Sequence, residues 1–348
     1  MWPYFFVFFI LVFFSAVDTK CKKNTFKAFA FVVLASFAGL RYGVGRDYFS
    51  YIEIFNAAEG EFSREPGRNI FINIIKLFNG ADQLYIFIMA AITEFFAYKT
   101  LIKYEKRDFW FITIIFYCIS LFYIASFNAS RQYMAMSMML WGFQYTNKIR
   151  TFMIITLFAG FGLHYSALMF IPLYFFITKA HSKKLVFAIS LGLIVVNKII
   201  MDLLALTPYA KYELFLDNDT RENQVQMTQY LLAVISFLLI LFKEKFEVFN
   251  ENTILVNMNV LCFYTLILVI MQDSPTFIML YQRINNYFVY SFLLIIPAVL
   301  SSFSKKNAQL LKTFILLFSI AYFIVTITVK GEHHMLVPYD MNFHLFNF

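Results

Sequence analysis

The sequence predicts an all-α, polytopic integral membrane protein with about 12 transmembrane helices joined by short loops. Three observations predict it. Apolar residues make up 61% of the 348 residues and charged ones only 14%, against roughly 45–50% and 25% in soluble domains. The apolar residues gather in runs of 13 to 21, near the roughly 20 that one membrane span needs. Lysine concentrates in every second connection between those runs. The composition excludes a soluble enzyme, a disordered chain and a cysteine-rich scaffold.

In chain order the runs are 2–17, 26–40, 82–102, 109–126, 130–145, 151–163, 165–178, 185–204, 229–242, 254–271, 284–300 and 312–329. Run 2–17 lacks a preceding basic stretch and a small-residue cleavage site, so it reads as a retained span rather than a leader. Runs 151–163 and 165–178 are short and read as half-length helices meeting near Gly160, Gly162 and His164. Residues 69–79 form a weaker amphipathic stretch. The whole of 1–348 reads as one polytopic domain. Its two longest connections are 41–81, which carries the amphipathic helix, and 205–228. Cys21, Cys118 and Cys262 stand apart and form no disulfide framework.

A net charge of +8 would point to nucleic acid in a soluble protein. Here the distribution of charge points to topology. Lys20, Lys22, Lys23 and Lys27 occupy the first lysine-rich connection, and Lys99, Lys103, Lys106 and Arg107 the second. Lys148 with Arg150, then Lys179, Lys183 and Lys184, then Lys243 with Lys245, then Lys305, Lys306 and Lys312 complete the set. These six hold 18 of the 29 basic residues, and 16 of the 18 are Lys. The positive-inside rule makes that face cytoplasmic, with both termini, 41–81 and 205–228 outside. The opposite connections carry Arg41, Arg46, Arg64, Arg68, Arg131, Arg221 and Arg283 with 14 of the 21 acidic residues. Arginine suits bidentate phosphate or carboxylate recognition better than lysine does, so the working surface is expected outside.

Four constellations carry polar chemistry at membrane edges. The first is Arg41-Tyr42-Gly43-Val44-Gly45-Arg46-Asp47-Tyr48-Phe49-Ser50-Tyr51. Its glycines allow a tight turn or close approach to a ligand, and its Arg, Asp and Tyr residues suit an anionic, hydroxyl-rich ligand. The second is Phe127-Asn128-Ala129-Ser130-Arg131-Gln132-Tyr133, where Asn128, Arg131 and Gln132 project from a helix start. An Arg within a membrane costs about 2.5–3.5 kcal/mol on insertion scales and usually faces a cavity or partner. The third is Gly160-Phe161-Gly162-Leu163-His164-Tyr165-Ser166, whose His164 is able to act as acid, base or donor. The fourth is Tyr281-Gln282-Arg283-Ile284-Asn285-Asn286-Tyr287. Each has a plainer reading: an anchoring Arg, a belt Tyr, or, for His164, a hydrogen bond between helices. No His, Cys or carboxylate set has metal-ligand spacing, and no metal or cofactor is expected.

These segments, with Glu65-Pro66, Ser166, Pro172, and Arg283 with Tyr287, resemble the EpsG/Wzy group of bacterial polysaccharide polymerases. The likeness runs through about residues 1–300, with Arg46 where the family often has a small residue. The resemblance implies a GT-C-like, multi-pass glycosyltransferase of the cell inner membrane. Such an enzyme joins undecaprenyl-diphosphate-linked oligosaccharide repeat units at the outer face, in O-antigen, lipopolysaccharide, capsule or exopolysaccharide biosynthesis. Asp47 and His164 would be catalytic, and Arg41, Arg131 and Arg283 would hold the substrate diphosphate. Tyr48, Tyr51, Asn128, Gln132 and Tyr287 would bind sugars. The reaction would be metal-independent. The expected partners are lipid-linked oligosaccharides and the membrane, with a chain-length regulator as a candidate and no nucleic acid. Two other readings stay open: a flippase of anionic lipid-linked oligosaccharides, which should show inverted repeats or paired broken helices, and a polysaccharide-modifying membrane acyltransferase with His164 catalytic.

Overall fold

The computed structural model describes residues 1–21, 25–57, 66–104, 108–205, 225, 227–272 and 275–347. It is helical almost throughout and falls into two compact units, 1–171 with 305–348 and 172–304. The first unit holds α1 (Trp2–Cys21), α2 (Thr25–Gly39), α3 (Tyr48–Asn56), α4 (Pro66–Leu77), α5 (Asp82–Tyr104) and α6 (Phe109–Cys118). It continues with α7 (Ser130–Gly142), α8 (Ile149–Leu157) and the start of α9 (Phe170–Ile177). The second unit holds α10 (Lys183–Ala205), α11 (Met227–Leu241), α12 (Glu247–Glu251), α13 (Thr253–Ile270), α14 (Pro275–Tyr290) and α15 (Phe292–Leu300). The chain then returns to the first unit as α16 (Lys305–Thr328). The only described strands, β1 (Arg41–Tyr42) and β2 (Asp340–Met341), pair antiparallel.

About 12 transmembrane helices are expected from the apolar runs, two of them half-length, and the described helices divide those runs more finely. Asp82–Tyr104, Thr253–Ile270 and Lys305–Thr328 are long and apolar enough to cross a membrane. Phe277–Tyr290 and Phe292–Leu300, bent by 41°, would make a fourth. Others, including Trp2–Asp18 and Thr25–Gly39, are shorter apolar helices. Run 109–126 ends its α-helix at Cys118 and resumes as a 3-10 turn, Ile124–Phe127. Run 130–145 becomes the 13-residue α7, nearly all of it buried. At 1.5 Å per residue α7 covers about 20 Å of a roughly 30 Å hydrocarbon layer. Its apolarity therefore serves core packing. The break expected near Gly160, Gly162 and His164 lies at His164, between a π-turn (Phe158–Leu163) and a 3-10 turn (Tyr165–Met169).

In the first unit α5 packs against both α2 and α7. Buried phenols need a hydrogen-bond partner, and here they find main-chain carbonyls. Tyr123 Oη donates to Leu34 O, Tyr117 Oη to Tyr4 O and Tyr133 Oη to Leu121 O, each at 2.7 Å. Thr93, Thr113 and Thr156 each donate to the carbonyl one helical turn back, so these polar residues sit inside apolar helices without an orphaned hydroxyl.

The two ends of this unit lie about 35 Å apart along the 23 residues of α5. At one end Lys103 bonds to Gln144 and Lys312 pairs with Asp108. Three of the lysine-rich connections thus meet there. At the other end the C-terminal tail crosses over the loop after α2. Asn342 N donates to Leu40 O, and Ala81 N donates to Leu345 O. Within the second unit, α13 packs on α11 and α14. Asn257 Nδ2 donates to Phe176 O, Ile177 O and Lys179 O, serving carbonyls left open at a helix C-terminus.

Candidate functional site

The site is built where helices end. The C-terminus of α2 and the end of the 3-10 turn Ile124–Phe127 meet at the tail-covered end of the first unit, and each leaves carbonyls that no helix satisfies. Arg41 reaches both. Its Nε donates to Val44 O at 3.1 Å, one terminal nitrogen to Ala38 O, and the other to Phe127 O and Ser130 Oγ, both at 3.1 Å. The guanidinium also lies 4.9 Å from the Phe127 ring centroid. Arg41 is only 1% exposed. Burial draws its pKa below the ordinary value. A cation at the C-terminal end of α2 also complements the helix dipole.

The loop beyond Arg41 depends on its second glycine. Gly45 has φ +93°, and a Cβ there would stand 2.7 Å from Phe127 O. Only glycine lets this backbone come so close. Gly45 N donates to Met335 O, and Arg46 N to Asn128 Oδ1, both at 2.8 Å. The Arg46 guanidinium donates to His333 O at 2.8 Å. The first and second motifs and the tail are thereby joined. Tyr51 Oη donates to Asn128 O at 3.1 Å. Burial pushes the Tyr51 phenol above its ordinary pKa, the Asp47 charge pushes it further, and Arg131 opposes them. Asp47, Tyr51 and Arg131 therefore share one electrostatic neighbourhood.

Arg131 joins the third motif. It starts α7, and its guanidinium donates to Leu163 O at 3.0 Å. That carbonyl ends the π-turn, where the helical ladder stops. His164 follows in extended conformation, φ −158° and ψ 126°. Its Nδ1 accepts from Ser166 N at 3.3 Å and lies 2.6 Å from Ser166 Oγ. Acceptance from the main-chain N–H selects the tautomer in which the proton is on Nε2.

The sequence-predicted residues divide by exposure. Asp47, Asn128, Arg131 and His164 are half-buried and lie with Arg46 and Ser166 in one constellation. Arg41, Tyr48, Tyr51 and Gln132 are buried. Tyr48 Oη is held by Gln83 Oε1 at 2.6 Å, while Gln83 Nε2 donates to Gly39 O and Arg41 O. Arg283 is exposed and Tyr287 buried on α14 of the second unit. In that unit Tyr281 Oη and Gln282 Nε2 are buried with no hydrogen-bond partner among the described residues. Gln83, Ser130 and the tail residues 333–341 belong to the site's framework, yet sequence reasoning assigns them no role. Gln83 reads as an ordinary polar residue at a helix start. The tail carries no local signal for pairing with a strand some 300 residues away. Of the expected external loops, 58–65 and 206–224 lie outside the described residues. Among the described residues no three His, Cys, Asp or Glu side chains gather as metal ligands would. The constellation offers cationic and neutral donors beside one carboxylate.

A model of the EpsG family matches residues 24–341, most of the chain, and the chain belongs to the EpsG family. No curated protein and no solved structure matches it. Membership points to a membrane-embedded, glycosyltransferase-like protein with a polysaccharide polymerase-type function.

Proposed function

We propose that this EpsG-family protein polymerises oligosaccharide repeat units carried on undecaprenyl diphosphate, at the outer face of the bacterial inner membrane. The observation that carries the reading is the bond from Arg131 to Leu163 O. It sets a guanidinium beside His164 on a scaffold that also holds Asp47. The outer-face assignment rests on the lysine distribution, since the lysine-rich end lies at the far end of α5 from this site.

In the proposed step a sugar hydroxyl of the incoming unit attacks the anomeric carbon of the growing chain. The new C–O bond forms as the bond to the lipid diphosphate breaks, and that electron pair stays on the phosphate oxygen. The hydroxyl proton passes to Asp47, the one carboxylate of the constellation. Negative charge developing on the diphosphate meets the Arg131 guanidinium and the His164 Nε2–H, donors fixed before the reaction. Arg283 and Tyr287 lie on α14 of the second unit and carry no part of this step. Arg41, whose donors already serve four protein oxygens, acts by positioning Phe127 to Arg131. Tyr51 supports the same turn through Asn128 O, Tyr48 holds the loop after α2 through Gln83, and Gln132 is a buried framework residue of α7. Asn128 is the half-buried amide suited to a sugar hydroxyl. The reaction is proposed to run without a metal, the fixed cations supplying the charge.

Deletion of the gene followed by analysis of lipid-linked sugars tests the reading. Single repeat units should accumulate on the outer leaflet, and purified protein given those units should release undecaprenyl diphosphate as chains lengthen. Units trapped on the inner leaflet would indicate a flippase instead. Full-length chains lacking an acyl group would indicate an acyltransferase.

A further inference from the structure

The amphipathic α4 leaves one face uncovered within its unit. Ile70, Ile74, Leu77 and the following Phe78 are 61%, 50%, 79% and 69% exposed. Their spacing of four, three and one places them on a single helical face. The opposite face is occupied. Ile72 and Ile75 are buried, the Phe71 ring lies 5.6 Å from that of Tyr85, and Lys76 Nζ lies 5.4 Å from the Phe55 ring centroid. Four large apolar side chains exposed together mark an interaction surface.

Three observations indicate what covers it. α5 begins at Asp82, five residues after Leu77, and is long and apolar enough to cross a membrane. The stripe therefore ends where a span enters the bilayer. Second, both ends of α4 are tied to that level of the molecule. A Cβ on Gly67 would stand 2.4 Å from Gly162 Cα, so the helix start presses on the π-turn. Past the helix, Asn347 N donates to Asn79 O at 2.7 Å, and Gly80 bridges to Phe346. Third, the tail that meets this corner exposes two aromatic rings, Phe343 at 70% and Phe346 at 38%, beside the polar His344 and Asn347. Aromatic residues at the mouth of a span favour the membrane–water boundary.

We propose that α4 is an interfacial helix whose stripe from Ile70 to Phe78 beds in the acyl chains of the leaflet next to the start of α5. An amphipathic helix of this kind sinks about 5–10 Å into the boundary between headgroups and acyl chains. Because Gly67 presses on Gly162, two residues before His164, the lipid surface then sets the depth of His164 and Arg131 relative to the headgroups. This goes beyond the proposed chemistry, and its test uses no sugar substrate, so the two stand or fall separately.

The test places a nitroxide at position 70, 74 or 77 in full-length protein carrying Cys21→Ser, since Cys118 and Cys262 are buried. The protein is reconstituted into phospholipid vesicles, and collisions with oxygen, which partitions into lipid, are compared with those of a water-soluble nickel chelate. Labels at Glu53 and Glu332, both exposed, give the aqueous reference. A label at Phe314, 68% exposed on α16, gives the lipid reference. The ratio at 70, 74 and 77 should shift from the aqueous toward the lipid reference. Nickel-favoured labels would overturn the proposal, as would labels shielded from both reagents. Unmodified protein provides a second measurement, by irradiation in vesicles containing a phospholipid with a diazirine in its acyl chain. Adducts within residues 70–78 are expected. Adducts confined to the spanning helices would overturn the proposal even if the labelled variants failed to fold.

Discussion

The two ends of the first unit hold their cations in opposite ways. At the lysine-rich end Lys103 meets the Gln144 side chain and Lys312 meets the Asp108 carboxylate. At the tail-covered end Arg41, Arg46 and Arg131 reach main-chain carbonyls of Val44, Ala38, Phe127, His333 and Leu163. A contact between two flexible side chains rearranges when one is changed. A guanidinium across several carbonyls defines the backbone itself, because its planar donors have fixed directions. The lysine end carries the charge expected to orient the chain in the membrane, whereas the arginine end builds a shape.

The largest expected effect follows from Arg41. Arg41→Ala would leave the carbonyls of Ala38, Val44 and Phe127 buried without this donor, and one unsatisfied buried polar group costs about 1–3 kcal/mol. The variant should be nearly absent from the membrane fraction, and Arg41→Lys should recover little, since one ammonium cannot reach the same set. Gly45→Ala should behave alike, because its Cβ would meet Phe127 O at 2.7 Å. Immunoblots and thermal melts in detergent measure both. Normal abundance of Arg41→Ala would remove the contrast between the two ends.

Arg131 sharpens the contrast, for it is half-buried where Arg41 is buried. Arg131→Ala should remain inserted while losing about 10²–10³ in polymerisation rate, the usual cost of one charge-stabilising donor. Arg131→Lys should regain a small part. If correctly inserted Arg131→Ala made a full polysaccharide ladder, Arg131 would belong with Arg41 as a framework residue.

Much of this arrangement is legible from sequence. The glycine-arginine loop, Asn128 with Arg131, and His164 each stand out because polar groups are costly at a membrane edge. The hidden part is main-chain. Arg41 reads as a ligand or an anchor because its partners are carbonyls, which every sequence has everywhere. The tail escapes notice for the same reason: a two-residue strand pair has no side-chain signature. Run lengths mislead at 109–126 and 130–145 because a buried core helix and a lipid-facing one share a composition.

Asp47 and His164 separate two kinds of proton chemistry within the arginine end. With Nδ1 accepting from Ser166 N, the role proposed for His164 is that of an Nε2–H donor. His164→Gln, whose amide also donates, should keep a substantial part of the rate, while His164→Ala loses it. Asp47→Asn should lose about 10²–10⁴, the range for a general base. Single-turnover assays on purified protein compare the three. A His164→Gln variant as inactive as His164→Ala would place the base at His164 and require the other tautomer.

The smallest effect belongs to the lysine end. Lys312 and Asp108 form an ion pair whose side chains remain 24% and 25% exposed, so solvent screens the attraction and both side chains lose freedom in making it. Pairs of this kind contribute about 0–1 kcal/mol. Lys312→Arg keeps the charge and the reach to Asp108, and should leave abundance, melting temperature and polymer length unchanged. Lys312→Gln should lower the melting temperature slightly with polymer intact, because the pair lies about 35 Å along α5 from the constellation. Removing one of many lysines should not reverse the chain either, since orientation follows the summed charge of the connections. A comparison of Lys312→Arg with Arg41→Lys in the same detergent is the direct measurement. Equal losses of stability would mean that cations at both ends hold the fold alike, and the distinction between a charge that orients and a charge that builds would fail.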